Sequence, residues 1–292
     1  MIYLLLSVLS SSAIMVVFKL FERFRIKTAD AIVVNYAVAT LLSFTLDGSG
    51  IPLLKSHTYP WFPHALCMGV LFITLFNIIG TSTQKMGISV TTVANKMSLV
   101  IPVLFAVWIL NENLGGYKIV GLLFAGIAVI LSSYKQESRL GEKKYLFYPF
   151  IVFLGSGAID AYFKFNEEFT LGNNGLEPFT GWIFLTAGCI GLIYWILRYV
   201  KAKEIPAGNV IWAGVLLGIP NYFSVYFLLK ALSINDLESS VVIPVNNLGV
   251  VAMGALAGII FFDERPNKFN VAGLILCFLA IVLIGMADYL PF

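Results

Sequence analysis

The chain has 292 residues, 59% of them hydrophobic and only 12% charged, and its mean hydropathy is +0.89. Soluble domains run at about 45–50% apolar and about 25% charged, so an ordinary cytosolic enzyme, a disordered chain and a nucleic-acid binder are excluded. The net charge of +3 is small; the placement of the charges says more than their sum.

A helix crosses a bilayer in about 20 predominantly apolar residues. Between its charges the chain offers ten such runs, at 2–21, 29–46, 64–85, 89–111, 116–134, 145–165, 178–199, 209–231, 237–262 and 268–289. The first carries no A-x-A cleavage signal and reads as a retained helix rather than a leader. Ile119–Leu131 and Val271–Ile284 do not alternate, which argues against a β-barrel. The expected fold is all-α and polytopic, with ten transmembrane helices. Trp61, Trp182, Trp195 and Trp212 fall near segment ends and read as interfacial anchors. Cys67, Cys189 and Cys277 lie singly in apolar runs and read as small packing residues.

The chain repeats itself. Ser11-Ser12-Ala13-Ile14, Phe18-Lys19 and Glu22 recur as Ser156-Gly157-Ala158-Ile159, Phe163-Lys164 and Glu167; Asn111-Glu112 and Gly121 recur as Asp263-Glu264 and Gly273. The first offset is 145 positions and the second 152, a drift that predicts about two extra turns in the ninth segment. Residues 1–134 and 145–289 are thus two copies of a five-segment unit. An odd number of spans inverts the second copy, and the connectors agree. Arg23, Arg25 and Lys27 follow segment 1, whereas Glu167, Glu168 and Glu177 follow segment 6. Lys and Arg concentrate in connectors 1–2, 5–6, 7–8 and 9–10, which places both termini outside the cytoplasm.

Lys19 ending segment 1, Asn35-Tyr36 in segment 2, Pro102 and Glu112 followed by Gly121, and Pro244, Glu264 and Gly273 in the second half resemble the drug/metabolite transporter superfamily, in its ten-helix EamA-like branch. The resemblance covers nearly the whole chain as two copies of the unit. It implies a secondary carrier, often an exporter, of small metabolites or drugs in the cell (plasma or inner) membrane, with a cavity between the halves. Its implied partners are a small-molecule substrate and the lipid bilayer, with no nucleic acid and no cofactor. Members of the family usually keep their termini in the cytoplasm, opposite to the charge bias here.

Charged side chains inside hydrocarbon cost about 2.5–3.5 kcal/mol on insertion scales, so each needs a reason. Lys96 lies about six residues into segment 4; it either faces a cavity, favouring an anionic substrate, or snorkels to the interface. Asp160 and Lys164 share a face four residues apart and read either as an ion pair or, for Asp160, as a proton acceptor that couples export to proton entry. Pro102, Pro220 and Pro244 predict helix breaks that free the carbonyls of Ser98, Leu216 and Ser240. Near them lie Asn95, Asn221, Tyr222, Asn246 and Asn247, and with Tyr36 and Tyr162 these form the substrate-binding candidates. Interhelical hydrogen bonding is the competing role for the asparagines, and core packing for the tyrosines.

Gly214–Gly218 and Gly254–Gly258 have the spacing that lets helices approach, within a monomer or across a homodimer. Glu112 and Glu264 are expected to accept hydrogen bonds where the next helix begins. His57 and His64 match no metal or nucleophile motif and read as loop or interface residues, so neither a metal nor an enzyme activity is expected. A lipid-carrier flippase of the same fold is the alternative function.

Overall fold

The structure is a computed structural model that describes residues 2–46, 53–109, 115–133, 145–171, 175–203, 207–232 and 239–285. Helices α1 (Ile2–Arg23), α2 (Thr28–Leu46), α3 (Phe62–Met86), α4 (Ile88–Met97), α5 (Val100–Ile109) and α6 (Gly116–Ser133) make the first half. The second comprises α7 (Phe147–Asn166), α8 (Leu176–Ala202), α9 (Gly208–Leu232), α10 (Ser239–Phe262) and α11 (Lys268–Gly285). Among the described residues there is no strand. Seven stretches are long and apolar enough to cross a membrane, one of them Ile88–Phe105 running through α4 and into α5; Gly116–Ser132 and Lys268–Ile284 are shorter apolar helices. The chain is a multi-pass integral membrane protein.

Of the three prolines expected to break helices, only Pro102 does so. Its segment divides at Ser98-Leu99, and Pro102 falls in the first turn of α5, where a missing backbone donor costs nothing. Helix α9 continues through Pro220, and α10 runs unbroken from Ser239 past Pro244. The expected lengthening of the ninth segment is also absent. Helix α10 has 24 residues.

Helix α3 gives way to α4 across a single residue, Gly87, at φ +101°. A side chain there would be strained by that backbone angle and would meet the Glu264 carboxylate at 2.8 Å.

The main apolar cluster gathers Phe18, Tyr36, Met68, Phe179 and Phe184 from α1, α2, α3 and α8, with Trp61 just before α3. A second joins Val93 and Met97 of α4 to Ala125 and Ala128 of α6, Val251 of α10 and Cys277 and Ala280 of α11. Lipid is as apolar as these side chains, so small residues that admit close backbone approach carry the helix association. A Cβ on Gly69 of α3 would lie 2.5 Å from the Thr186 Cβ and 2.9 Å from the Ile183 carbonyl of α8. On Gly214 of α9 it would lie 2.3 Å from the Val34 Cβ and 2.7 Å from the Ala31 carbonyl of α2. Gly121 of α6 meets Ile284 and the Ala280 carbonyl of α11, while Gly273 of α11 meets Ser132 and the Ala128 carbonyl of α6.

Tryptophan and cysteine placement departs from expectation. Trp61 is fully buried, stacked on Tyr59 and edge-on to Phe179. Trp195 donates to Asp30; Trp212 is exposed, as an anchor should be. Only Cys277 is buried, whereas Cys67 and Cys189 are exposed. Isolation in an apolar run does not fix which side of its helix a small thiol takes.

Candidate functional site

Two ends of the bundle are distinguishable. At the basic end Arg23, Lys85, Arg198, Lys201, Arg265 and Lys268 close or open α1, α3, α8, α10 and α11. A vestibule of about 650 Å³ lies at this end, lined by Lys19, Lys85, Ser89, Val93, Glu264 and Asn270 among others. Ser89, Val93 and Lys96 are spaced i, i+4, i+7 and so share one face of α4. This stripe leads from the vestibule toward the break between α4 and α5.

At the break stands the one charged constellation in the middle of the bundle among the described residues. Lys96 is half-buried and Asp160 accessible, and the two charges act on each other between α4 and α7. Asp160 was expected to face Lys164, one turn along its own helix, and it faces α4 instead. The accessibility of Asp160 is internal. Phe147, Phe150, Leu154 and Ala158 make the outward stripe of α7, and Asp160 lies about 200° around the helix from Ala158. Asn95 accepts the Ser98 hydroxyl at its carbonyl, which occupies part of the backbone released near Pro102.

The other candidates do not join this constellation. Asn221 of α9 donates to Asn35 of α2 at 3.1 Å, and the Asn35 amide nitrogen and the Tyr36 hydroxyl are buried without a partner among the described residues. Tyr222 stacks on Tyr226. Asn246 is buried, and its side-chain oxygen has no partner among the described residues. Asn247 lines a small apolar cavity of about 170 Å³ with Pro102, Ile243 and Ile281. Tyr162 belongs to the opposite end, where its hydroxyl is 2.7 Å from His64 Nδ1. His64 therefore lies within α3 and ties it to α7, rather than sitting in a loop; His57 is exposed, as expected.

Three functional contacts escaped the sequence. Asp30, almost fully buried, receives both Arg198 terminal nitrogens, at 2.6 and 2.9 Å, and the Trp195 indole at 3.1 Å. This joins the start of α2 to the end of α8. Glu264 was expected to serve the helix that follows it. It serves α4 instead, accepting the Ile88 N–H at 2.7 Å, the Ser89 N–H at 3.3 Å and the Ser89 hydroxyl at 3.2 Å. Its repeat mate Glu112 lies outside the described residues. Lys19 reaches Glu22 at 2.8 Å and the Gln84 carbonyl at 3.0 Å. The only available signal was negative: Asp30 and Arg198 are charges with no partner at helical spacing in their own segments.

A model of the EamA-like transporter family matches residues 161–286. The chain belongs to the EamA-like transporter family. It is 30% identical to a Haemophilus influenzae protein described as uncharacterized, over 98% of both chains. It also shares its fold, at a TM-score of 0.61 and 15% identity, with a crystal structure of a protein, covering 97% of this chain and 94% of that one. Among the described residues no three His, Cys, Asp or Glu side chains gather as a metal site.

Proposed function

We propose that the chain is a secondary carrier that exports small organic metabolites or drugs by alternating access of two inverted five-segment halves, residues 1–134 and 145–289, in the cell membrane. The observation that carries the proposal is the accessible Asp160 carboxylate inside the bundle, facing Lys96 at a broken helix. A charge at this depth is expensive and calls for a function, and inverted-repeat carriers bind cargo at such breaks.

The inverted repeat rests on packing. Exchanging the halves turns the α2–α9 contact into the α8–α3 contact, and α1–α9 into α7–α3. The pairs α2–α8, α4–α10 and α6–α11 exchange into themselves. The glycine contacts repeat in atomic detail: Gly69 and Gly214 differ by 145 positions and their partners Ile183–Thr186 and Ala31–Val34 by 152. Two copies related by a two-fold axis produce such reciprocity, and five crossings per copy lay that axis in the membrane plane.

Lys96 contacts the cargo, and Asp160 carries the coupling proton. In proteoliposomes loaded with a solute that overexpressing cells release, efflux should rise with an inward proton gradient. Asp160→Asn should keep solute counterflow and lose that dependence. Unchanged gradient dependence in Asp160→Asn removes the coupling role. Thiol labelling of single cysteines in connectors 1–2 and 6–7 should report opposite sides of the membrane, the first cytoplasmic.

A further inference from the structure

The vestibule at the basic end holds more positive charge than its own acid can match. Among the described residues, the ionisable side chains in its wall are Lys19, Lys85, Glu264 and Arg265. The carboxylate is already engaged. Glu264 takes the Ile88 N–H, the Ser89 N–H and the Ser89 hydroxyl, all in the first turn of α4. Lys19 is held by Glu22 at 2.8 Å and by the Gln84 carbonyl at 3.0 Å. Lys85, in the last turn of α3, and Arg265, between α10 and α11, are exposed and have no carboxylate partner among the described residues; the Lys85 ammonium lies 6.0 Å from the centre of the Tyr145 ring. The neutral polar groups of the wall are tied to backbone. The Asn270 amide donates to the Ser132 carbonyl at 2.7 Å, and the Asn267 side-chain oxygen accepts the Asn270 N–H at 3.0 Å. What the wall offers an incoming solute is therefore two cations, one from each half of the chain. A concave, low-dielectric wall of one sign focuses its field into the space it encloses, and a guanidinium fork fits a carboxylate or phosphate with two parallel hydrogen bonds. The volume of about 650 Å³ suits a small organic molecule.

We propose that the vestibule is an anion-binding mouth, in which Lys85 and Arg265 receive the carboxylate or phosphate of a soluble cargo. Ser89 and Val93 line the same space, and Lys96 is the next residue on their face of α4, so an anion released by the mouth meets a further cation deeper in the bundle. The onward path rests on the carrier reading given above and supplies its substrate class, small organic anions; the mouth itself does not depend on that reading. A cationic solute would be repelled at the same place. The phosphate of a lipid headgroup shares the chemistry, and the composition of the surrounding bilayer tells the two sources apart.

The test places a thiol in the vestibule wall, Leu274→Cys on α11, in full-length protein carrying Cys67→Ser and Cys189→Ser. The parent without Leu274→Cys gives the background from buried Cys277. In phosphatidylcholine nanodiscs the protein is labelled with two methanethiosulfonates of similar size, one bearing a sulfonate and one a trimethylammonium, and each rate is divided by that reagent's rate with a small free thiol. The sulfonate reagent should be preferred by at least about tenfold, the low end of what a charged cleft does to association. Lys85→Gln and Arg265→Gln should each cut that preference by about threefold, and Lys85→Arg should keep it. Inorganic phosphate should slow the sulfonate reagent saturably where chloride at the same ionic strength does not, the behaviour of a site rather than a general field. Val90→Cys, on the α4 wall, serves if Leu274→Cys does not assemble. Equal rates for the two reagents, a preference that survives both glutamine substitutions, or protection by phosphate no greater than by chloride overturns the mouth. Slowing by phosphatidylglycerol in the disc with none by phosphate gives the cations to lipid headgroups and overturns the cargo assignment. Counterflow and connector labelling test the carrier separately, so the mouth can fail with the carrier standing, and the carrier can fail with an anion-selective vestibule in place.

Discussion

Arg198→Ala is expected to lower stability by about 3–5 kcal/mol, the cost of leaving a buried charge without its partner. Asp30 is 1% exposed, and Arg198 supplies two of its three hydrogen bonds. With the guanidinium gone, the Trp195 indole is the remaining donor, among the described residues, to a carboxylate set within the bundle. The loss should appear as a fall of roughly 10 °C in the thermal midpoint in detergent, since each 1 kcal/mol moves a chain of this size by about 2–4 °C. Adding Asp30→Ala to Arg198→Ala should restore most of it, because the penalty comes from the orphaned charge rather than from the pair's own attraction. If the double variant is no more stable than Arg198→Ala, the bond is not what holds α2 to α8.

The second large effect concerns the glycines. Gly214→Val would drive a branched side chain into the Val34 Cβ and the Ala31 carbonyl, where even one carbon finds only 2.3 and 2.7 Å. The α2–α9 contact would have to separate, at a cost of about 1–3 kcal/mol or more. Gly69→Val should cost a similar amount, since it meets the same pair of atoms on α8. Gly126→Ala is the control: nothing lies within 4 Å of its added carbon, so it should be neutral or stabilise α6 by up to about 1 kcal/mol. Thermal midpoints of the three variants, measured side by side, check the ranking. A Gly126 variant as damaged as the other two would mean that helix propensity, not close approach, sets these costs.

Much of the bundle was legible in advance because a bilayer imposes a length on every apolar run. The segment boundaries and the break near Pro102 follow from local features: charge spacing, and a ring with no N–H to donate. The neighbouring prolines show where that logic stops. Pro220 and Pro244 have the same missing donor, yet their helices continue, because surrounding helices can hold the backbone straight where sequence alone predicts a break. The site was half legible. Lys96 and Asp160 stood out as charges in hydrocarbon, but their facing each other across α4 and α7, in place of an Asp160–Lys164 pair, depends on how α7 is rotated. Asn247 lines a cavity with Pro102, whereas Asn221 bonds Asn35 on α2 and Tyr162 meets His64 on α3. Nearness along the chain carries no information about the azimuth at which a side chain leaves its helix.

From the sequence alone came the membrane class, the ten apolar runs, the doubled unit and the family resemblance, all of which are periodicities or compositions that survive without coordinates. Only the tertiary structure decided which helix receives each polar group. Glu264 went to α4, Arg198 to Asp30, His64 to Tyr162 and Asp160 to Lys96, each across a separation of many residues. The physical reason is common to all four. In lipid a polar side chain must find a partner within the protein, and the partner is chosen by the depth and rotation of whole helices, which packing of glycine against backbone sets and no local pattern encodes.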